Sequence, residues 1–226
     1  MNAVHLKAML GMQHAMNARV NPAYLVAGYP WLRAVVVEGG EALDHHGWKW
    51  WKKQTPDMEQ LKIEMIDIWH FYLSQAVQEH DGALSGALSY MLEASNSDYQ
   101  REGVSFDGVF REYKNMDILQ HVELIIGLAV CRRWSVPLFE SLMRLVGMTD
   151  DDLYRQYVAK NVLNFFRQDH GYKEGTYVKD WAGQEDNVYL AEVMPLIVVD
   201  GQYSENLYAA LKAKYDRVLI DLNRDA

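Results

Sequence analysis

Ile63-Glu64-Met65-Ile66-Asp67-Ile68-Trp69-His70-Phe71 places two carboxylates three residues apart inside an otherwise apolar run. On a helix that spacing sets both acids on one face, one turn apart. The run is apolar on most sides, which marks a central helix rather than a surface one. Thr55-Pro56-Asp57 starts it, with Pro56 at a first-turn position and Asp57 and Glu59 near the positive end, and the pattern continues to about Glu79. A second pair with the same spacing, Glu38-Gly39-Gly40-Glu41, follows Trp31, Leu32, Val35, Val36 and Val37 in a helix over 31–46. No Lys or Arg stands three or four residues from any of the four acids. Glu38, Glu41 and Asp44 instead form a like-charge ladder, destabilising by roughly 0.2–0.5 kcal/mol per pair. A solvated salt-bridge face, the ordinary explanation of a single Glu-x-x-Glu, predicts the opposite pattern. Unpaired carboxylates in apolar helices are costly, and hard divalent cations would share their charge. An all-oxygen donor set suits Mg²⁺ better than zinc. Gly39 and Gly40 each cost about 0.5–1 kcal/mol inside a helix; room for a packed neighbour and room for a ligand both explain them.

Upstream, Val4, Leu6, Met9, Leu10, Met12 and Met16 predict a helix ending near Asn21-Pro22. Gln13 and Asn17 form an amide pair at i, i+4 on it, which spacing alone explains as a polar helix flank. His70, three residues after Asp67, shares its face, where a structural histidine and a ligand contact both fit. Trp48-Lys49-Trp50-Trp51-Lys52-Lys53 reads either as a core segment with snorkelling lysines or as an aromatic platform beside cationic phosphate ligands. The stretch 81–115, broken by Gly82, Gly86, Gly103 and Gly108, predicts short helices and loops serving as a mobile flap or an oligomer contact.

Helices follow at about 117–134 and 137–146, the second opened by Pro137 and closed by Gly147. Thr149 with Asp152 forms an acidic capping box for a helix of about 150–168. On that helix Lys160, Asn164 and Arg167 share one stripe at i, i+4, i+7. The glycine-punctuated run Gln168 to Asn187 carries Lys173 and Lys179 and suits a loop whose amides and ammonium groups wrap phosphates. Glu185-Asp186-Asn187 opens another helix, and residues 204–222 form a final amphipathic one. No strand-like alternation is long enough to build a sheet, so the expected class is all-α.

A chain of 226 residues can bury a substantial core. A net charge of −9 argues against non-specific nucleic-acid binding. The single cysteine, Cys131, leaves no internal disulfide framework and fits a reducing compartment. The N-terminal residues carry no signal-peptide pattern, and the longest apolar run, near Val122 to Cys131, is too short to span a bilayer. These features predict a soluble cytoplasmic protein with neither a nucleic-acid nor a membrane partner.

An acidic cluster, a basic cluster and an aromatic-amide neighbourhood together suit a polyanionic substrate bound through metal ions. The sequence resembles the dimeric dUTPases (dUTP diphosphatases), within the all-α, MazG-like nucleotide pyrophosphatase group. The matching stretches are Glu38-x-x-Glu41 with Leu43-Asp44, Trp48-Lys49-Trp50-Trp51-Lys52, Glu64-x-x-Asp67-Ile68-Trp69-His70-Phe71, and the run from Lys160 through Asn164, Arg167, Gly171-Tyr172-Lys173 and Lys179 to Glu185-Asp186-Asn187. The acidic pairs point only to the broad group; the C-terminal run is much more specific to the dUTPase branch. The resemblance implies one all-α dUTPase domain over 1–226, with a helical core at about 1–80 and 117–195, and a homodimer.

It also implies hydrolysis of dUTP and dUDP to dUMP with two or more Mg²⁺ ions, Mn²⁺ being a substitute. Glu38, Glu41, Glu64 and Asp67 would hold the metal, and Glu38, with Glu41 beside it, would activate the attacking water. Gln13, Asn17, Trp48, Trp50, His70 and Tyr172 would enclose base and sugar. Lys160, Asn164, Arg167, Lys173, Lys179 and Asn187 would bind phosphates. The location implied is the cytoplasm, that of the host for a phage-encoded form. Three alternatives stand beside this one: a broader MazG-like pyrophosphatase, a di-iron or di-manganese oxidoreductase suggested by Asp67-x-x-His70, and a non-catalytic, nucleotide-sensing helical protein. The oxidoreductase architecture expects two Glu-x-x-His motifs, and one Asp-containing version is visible here.

Overall fold

The computed structural model describes residues 1–225 and builds them from α-helices and one short hairpin. The chain divides into two compact units, Met1–His14 with Ala23–Tyr154, and Ala15–Pro22 with the residues from Arg155 onward. The expected all-α class is therefore what the chain adopts.

In the first unit the start of α1 (Ala3–Val20) is followed by α2 (Tyr24–Ala27), α3 (Trp31–His46), α4 (Met58–Glu79), α5 (Leu84–Asn96) and α6 (Asp98–Glu102), then by α7 (Ile118–Val130) and α8 (Val136–Leu145). Helix α3 packs on α4 and α7, and α8 packs on α7 and α5. The apolar run from Ile63 to Phe71 is the middle of α4. Its Leu61, Met65, Ile68, Trp69, Tyr72 and Leu73 are fully buried, and the Trp69 ring stacks on Phe139 at 4.9 Å. Each such side chain removed from water contributes roughly 1.5–3 kcal/mol. Helix α4 begins one step later than the proline signal implied. Asp57 is its N-cap, accepting from the Gln60 amide at 3.1 Å, so Pro56 lies ahead of the first turn rather than in it.

The adjacent glycines of α3 have different surroundings. A Cβ on Gly39 would stand 2.6 Å from Ile126 Cγ1 of α7, whereas one on Gly40 would meet nothing within 4 Å. Gly39 thus serves a packed neighbour. Helix α7 stops at Val130, short of the expected 134, with Arg132 in the left-handed region at φ 59°. Its start carries a reciprocal capping box between Asp117 and Gln120. The Thr149–Asp152 box forms as the sequence indicated, with the Asp152 amide donating to Thr149 Oγ1 at 3.1 Å and the Thr149 amide donating to Asp152 at 3.0 Å. Cys131 is exposed at the end of α7.

The stretch 81–115 departs from expectation. Besides short helices it contains an antiparallel hairpin, β1 (Gly103–Phe106) with β2 (Val109–Glu112), in register Phe106 to Val109. Asp107 and Gly108 turn it with φ of 51° and 72°, the positive-φ pair of a two-residue hairpin turn. Four-residue strands are too short to show alternation, which is why the sheet escaped the sequence reading. Phe106 seats the hairpin against α7, since a Cβ on Gly127 would come within 2.9 Å of its ring.

The second unit holds the rest of α9 (Asp150–Asp169), then α10 (Asp186–Val193) and α11 (Tyr203–Asp225). Phe166 anchors an aromatic core, with ring centroids of Tyr208 at 5.3 Å, Tyr215 at 5.4 Å and Trp181 at 6.0 Å. Among the described residues no helix is long and apolar enough to cross a membrane.

Candidate functional site

The α3–α4 contact brings Glu38 and Glu41 of one helix to Glu64 of the other. One carboxylate oxygen from each lies within 4.8 Å of the other two. Glu64 is only 7 % exposed, Glu38 is half-buried and Glu41 is exposed, so the cluster runs from the core to the surface. Asp67, half-buried one turn further along α4, stands outside this group. Asp44 leaves the like-charge ladder by facing the following loop. Lys49 Nζ at 3.1 Å and Trp48 Nε1 at 3.2 Å both donate to it, and these two hydrogen bonds, Lys49 first, hold its carboxyl below the usual range. His45, which spacing had not singled out, places Nε2 at 3.3 Å from Glu64 Oε1. Its signal was available, because His45 follows Glu41 by one helical turn. Three converging carboxylates form a hard, all-oxygen donor set of the kind that divalent cations such as Mg²⁺ take.

The amide pair of α1 is not a surface flank. Gln13 and Asn17 are both buried, and Gln13 Oε1 lies 2.7 Å from His70 Nδ1, itself buried on α4. The Trp segment, in contrast, is not core. Trp50 is 86 % exposed, Trp48 and Trp51 are also exposed, and Trp50 meets Trp51 edge-on at 4.5 Å. Lys49 Nζ lies 5.6 Å above the Trp48 ring, close enough for cation–π attraction. Of the two sequence readings, the core segment is therefore the one the structure does not adopt.

In the second unit, α9 and the start of α10 bring Lys160, Asn164, Arg167 and Asn187 together. Arg167 is anchored by a residue the sequence reading had treated only as a helix opener. Its Nε and Nη2 donate to the two Asp186 oxygens at 2.8 and 2.7 Å. Asp186 is 0 % exposed and also accepts from the Tyr177 hydroxyl at 2.7 Å. Burial pushes the Asp186 carboxyl up, but the Arg167 hydrogen bonds and charge, followed by Tyr177, outweigh it and leave the carboxyl below its ordinary range. Burial and the neighbouring Asp186 raise the Tyr177 phenol.

The remaining Arg167 contacts are long, with Nη1 to Asn164 Oδ1 and Nη2 to Asn187 Oδ1 both at 3.4 Å; Lys160 Nζ reaches the same Asn187 oxygen at 3.4 Å. Tyr172 is exposed, with the Arg167 guanidinium 5.8 Å from its ring. Lys173 and Lys179 are exposed on the loop. Lys173 donates to the Val20 carbonyl at 3.1 Å, and Lys179 pairs with Glu185 at 2.9 Å. The arrangement offers a group of cations and amides to an anion, built around one buried ion pair.

A family model described as dUTPase matches residues 5–172, most of the chain. That span includes Gln13, the acidic cluster, the Trp segment and the Lys160–Arg167 stripe. No curated protein matches the chain.

Proposed function

This chain belongs to the dUTPase family, and from that premise we propose that it converts dUTP, and dUDP as well, to dUMP with Mg²⁺ as its working ion. As a dUTP diphosphatase it splits the phosphate chain with water, releasing pyrophosphate from dUTP. That chemistry requires charge neutralisation along the triphosphate and an oriented, deprotonated water. The observation that carries the reading is the convergence of Glu38, Glu41 and Glu64 within 4.8 Å on two packed helices. When bound there, two or more Mg²⁺ ions, or Mn²⁺ in their place, neutralise phosphate charge and acidify the water.

The chain's own residues divide the rest of the work. Glu38 and Glu41 form the catalytic pair, Glu38 taking the proton from the attacking water. Glu64 and Asp67 complete the ligand set from α4. Gln13 and Asn17 read the uracil edge, while Trp48, Trp50, His70 and Tyr172 enclose base and deoxyribose. Lys160, Asn164, Arg167, Lys173, Lys179 and Asn187 bind phosphate oxygens. The protein works as a cytoplasmic homodimer in which the whole chain acts as one dUTPase domain. Family membership sets aside the di-metal oxidoreductase and the non-catalytic alternatives.

The test is a panel of dUTP, dUDP, dTTP, dCTP and UTP assayed with Mg²⁺ and with EDTA, on the native protein and Glu64→Gln. We expect turnover of dUTP and dUDP only with metal, weak action on the others, and a loss of orders of magnitude in the variant with its helical content intact. Normal turnover by Glu64→Gln would remove the metal assignment.

A further inference from the structure

Asp186 gathers three separate parts of the second unit onto one carboxylate. Arg167 comes from the last turn of α9, Tyr177 from the middle of the glycine-punctuated loop, and Asp186 itself from the first residue of α10. Backbone bonds close the same loop near its ends: the Tyr172 amide donates to the Arg167 carbonyl at 2.9 Å and the Asp186 amide to the Lys179 carbonyl at 3.1 Å. Trp181, buried against Phe166, pins the loop from beneath.

Arginine has five N–H donors in a fixed fork. Asp186 takes two of them at charge-assisted distances, which fixes the plane of the guanidinium. The two contacts to Asn164 and Asn187 at 3.4 Å lie at the outer limit of hydrogen bonding. The N–H groups that make them are held more weakly than the two that donate to Asp186. A neutral or mobile residue at 186 would leave the fork free to rotate and the loop free to move.

We propose that Asp186 and Tyr177 are positioning residues of the phosphate-binding cluster, orienting Arg167 and holding the loop of Lys173 and Lys179 in place for a polyphosphate chain. The inference rests on the assignment of Arg167 and the two lysines as phosphate ligands. Its benefit to binding is preorganisation, ordering the cationic groups before the ligand arrives.

The test uses the full chain and the variants Asp186→Asn, Tyr177→Phe, Lys173→Ala and Lys179→Ala. Each is measured for KM and kcat with dUTP, for inhibition by inorganic tripolyphosphate at fixed free Mg²⁺, and for melting temperature. Asp186→Asn is expected to raise both KM and the tripolyphosphate inhibition constant by about ten- to a hundredfold, by analogy with the loss when the hydrogen-bond partner of a metal-ligating residue is removed, with kcat changing less. Tyr177→Phe keeps the ion pair and is expected to shift both constants the same way by a smaller factor, so it decides the matter if Asp186→Asn does not fold. If both variants melt earlier yet keep the native inhibition constant while the lysine variants lose affinity, the clamp is purely structural and the inference is overturned. If the lysine variants also bind tripolyphosphate normally, the phosphate assignment itself falls and takes this inference with it.

Discussion

Two adjacent glycines in α3 should answer the same substitution with opposite signs. Gly-to-Ala in a helix interior gains about 0.8–1 kcal/mol from propensity. At Gly40 an added methyl meets nothing within 4 Å, so Gly40→Ala keeps that gain. At Gly39 the methyl would stand 2.6 Å from Ile126 Cγ1 and 3.1 Å from Ile126 Cδ1. These atoms lie along the side chain rather than only at its mobile tip, so Ile126 must leave its rotamer or α3 and α7 must part. Overpacking of this kind costs about 1–3 kcal/mol, which separates the two variants by that amount. At roughly 2–4 °C per kcal/mol for a protein of this size, their melting temperatures should differ by about 2–12 °C. Calorimetry or urea unfolding in metal-free buffer measures the gap. Adding Ile126→Ala to Gly39→Ala should recover part of the loss, with a coupling energy of about 0.5–3 kcal/mol. Equal melting temperatures for Gly39→Ala and Gly40→Ala would refute the claim that Gly39 exists to admit α7.

Mg²⁺ should raise the melting temperature by mass action, worth about 2.7 kcal/mol at a hundred times Kd, and Glu64→Gln should lose most of that shift. An undiminished shift in Glu64→Gln would take Glu64 out of the donor set. Acid should destabilise the second unit through Asp186. Its folded-state pKa is depressed, Arg167 outweighing burial, so its contribution is fully present above the unfolded value of about 3.9 and is lost as pH falls through the lower folded value. Urea midpoints followed from pH 5 to pH 2 should therefore fall more steeply for the native protein than for Asp186→Asn; parallel curves would contradict the pairing.

Helices α3 and α4 were legible almost to the residue, because long apolar periodicity and a clear end signal agree there. The acidic cluster was legible as chemistry: four acids without local cations in apolar helices demand a partner. Spacing gives the face of a helix but not which side chains of two helices converge, which is why the grouping of Glu38 and Glu41 with Glu64, and the approach of His45 to Glu64, emerge only once α3 and α4 are packed. The Trp segment shows a related limit. Composition leaves a core segment and an aromatic platform equally open, and only the packed structure shows Trp50 in solvent. Gln13 shows the reverse, a polar side chain buried by His70 of a distant helix. Gly39 and Gly40 are indistinguishable until α7 is in place. The Asp107-Gly108 turn was a visible signal passed over because its strands are short. Asp186 was hidden for a different reason: a basic stripe displays its own charges, but the acid that anchors Arg167 enters from the start of the next helix.

The exposed thiol at the end of α7 has a practical meaning. The chain has one cysteine, and it is accessible, so maleimide chemistry places one probe per polypeptide at a known position without any engineering. Helix α7 is the helix against which α3, bearing Glu38 and Glu41, is packed. A fluorophore or spin label on Cys131 therefore reports from the same structural frame as the acids, and spectroscopy can begin on the unmodified sequence.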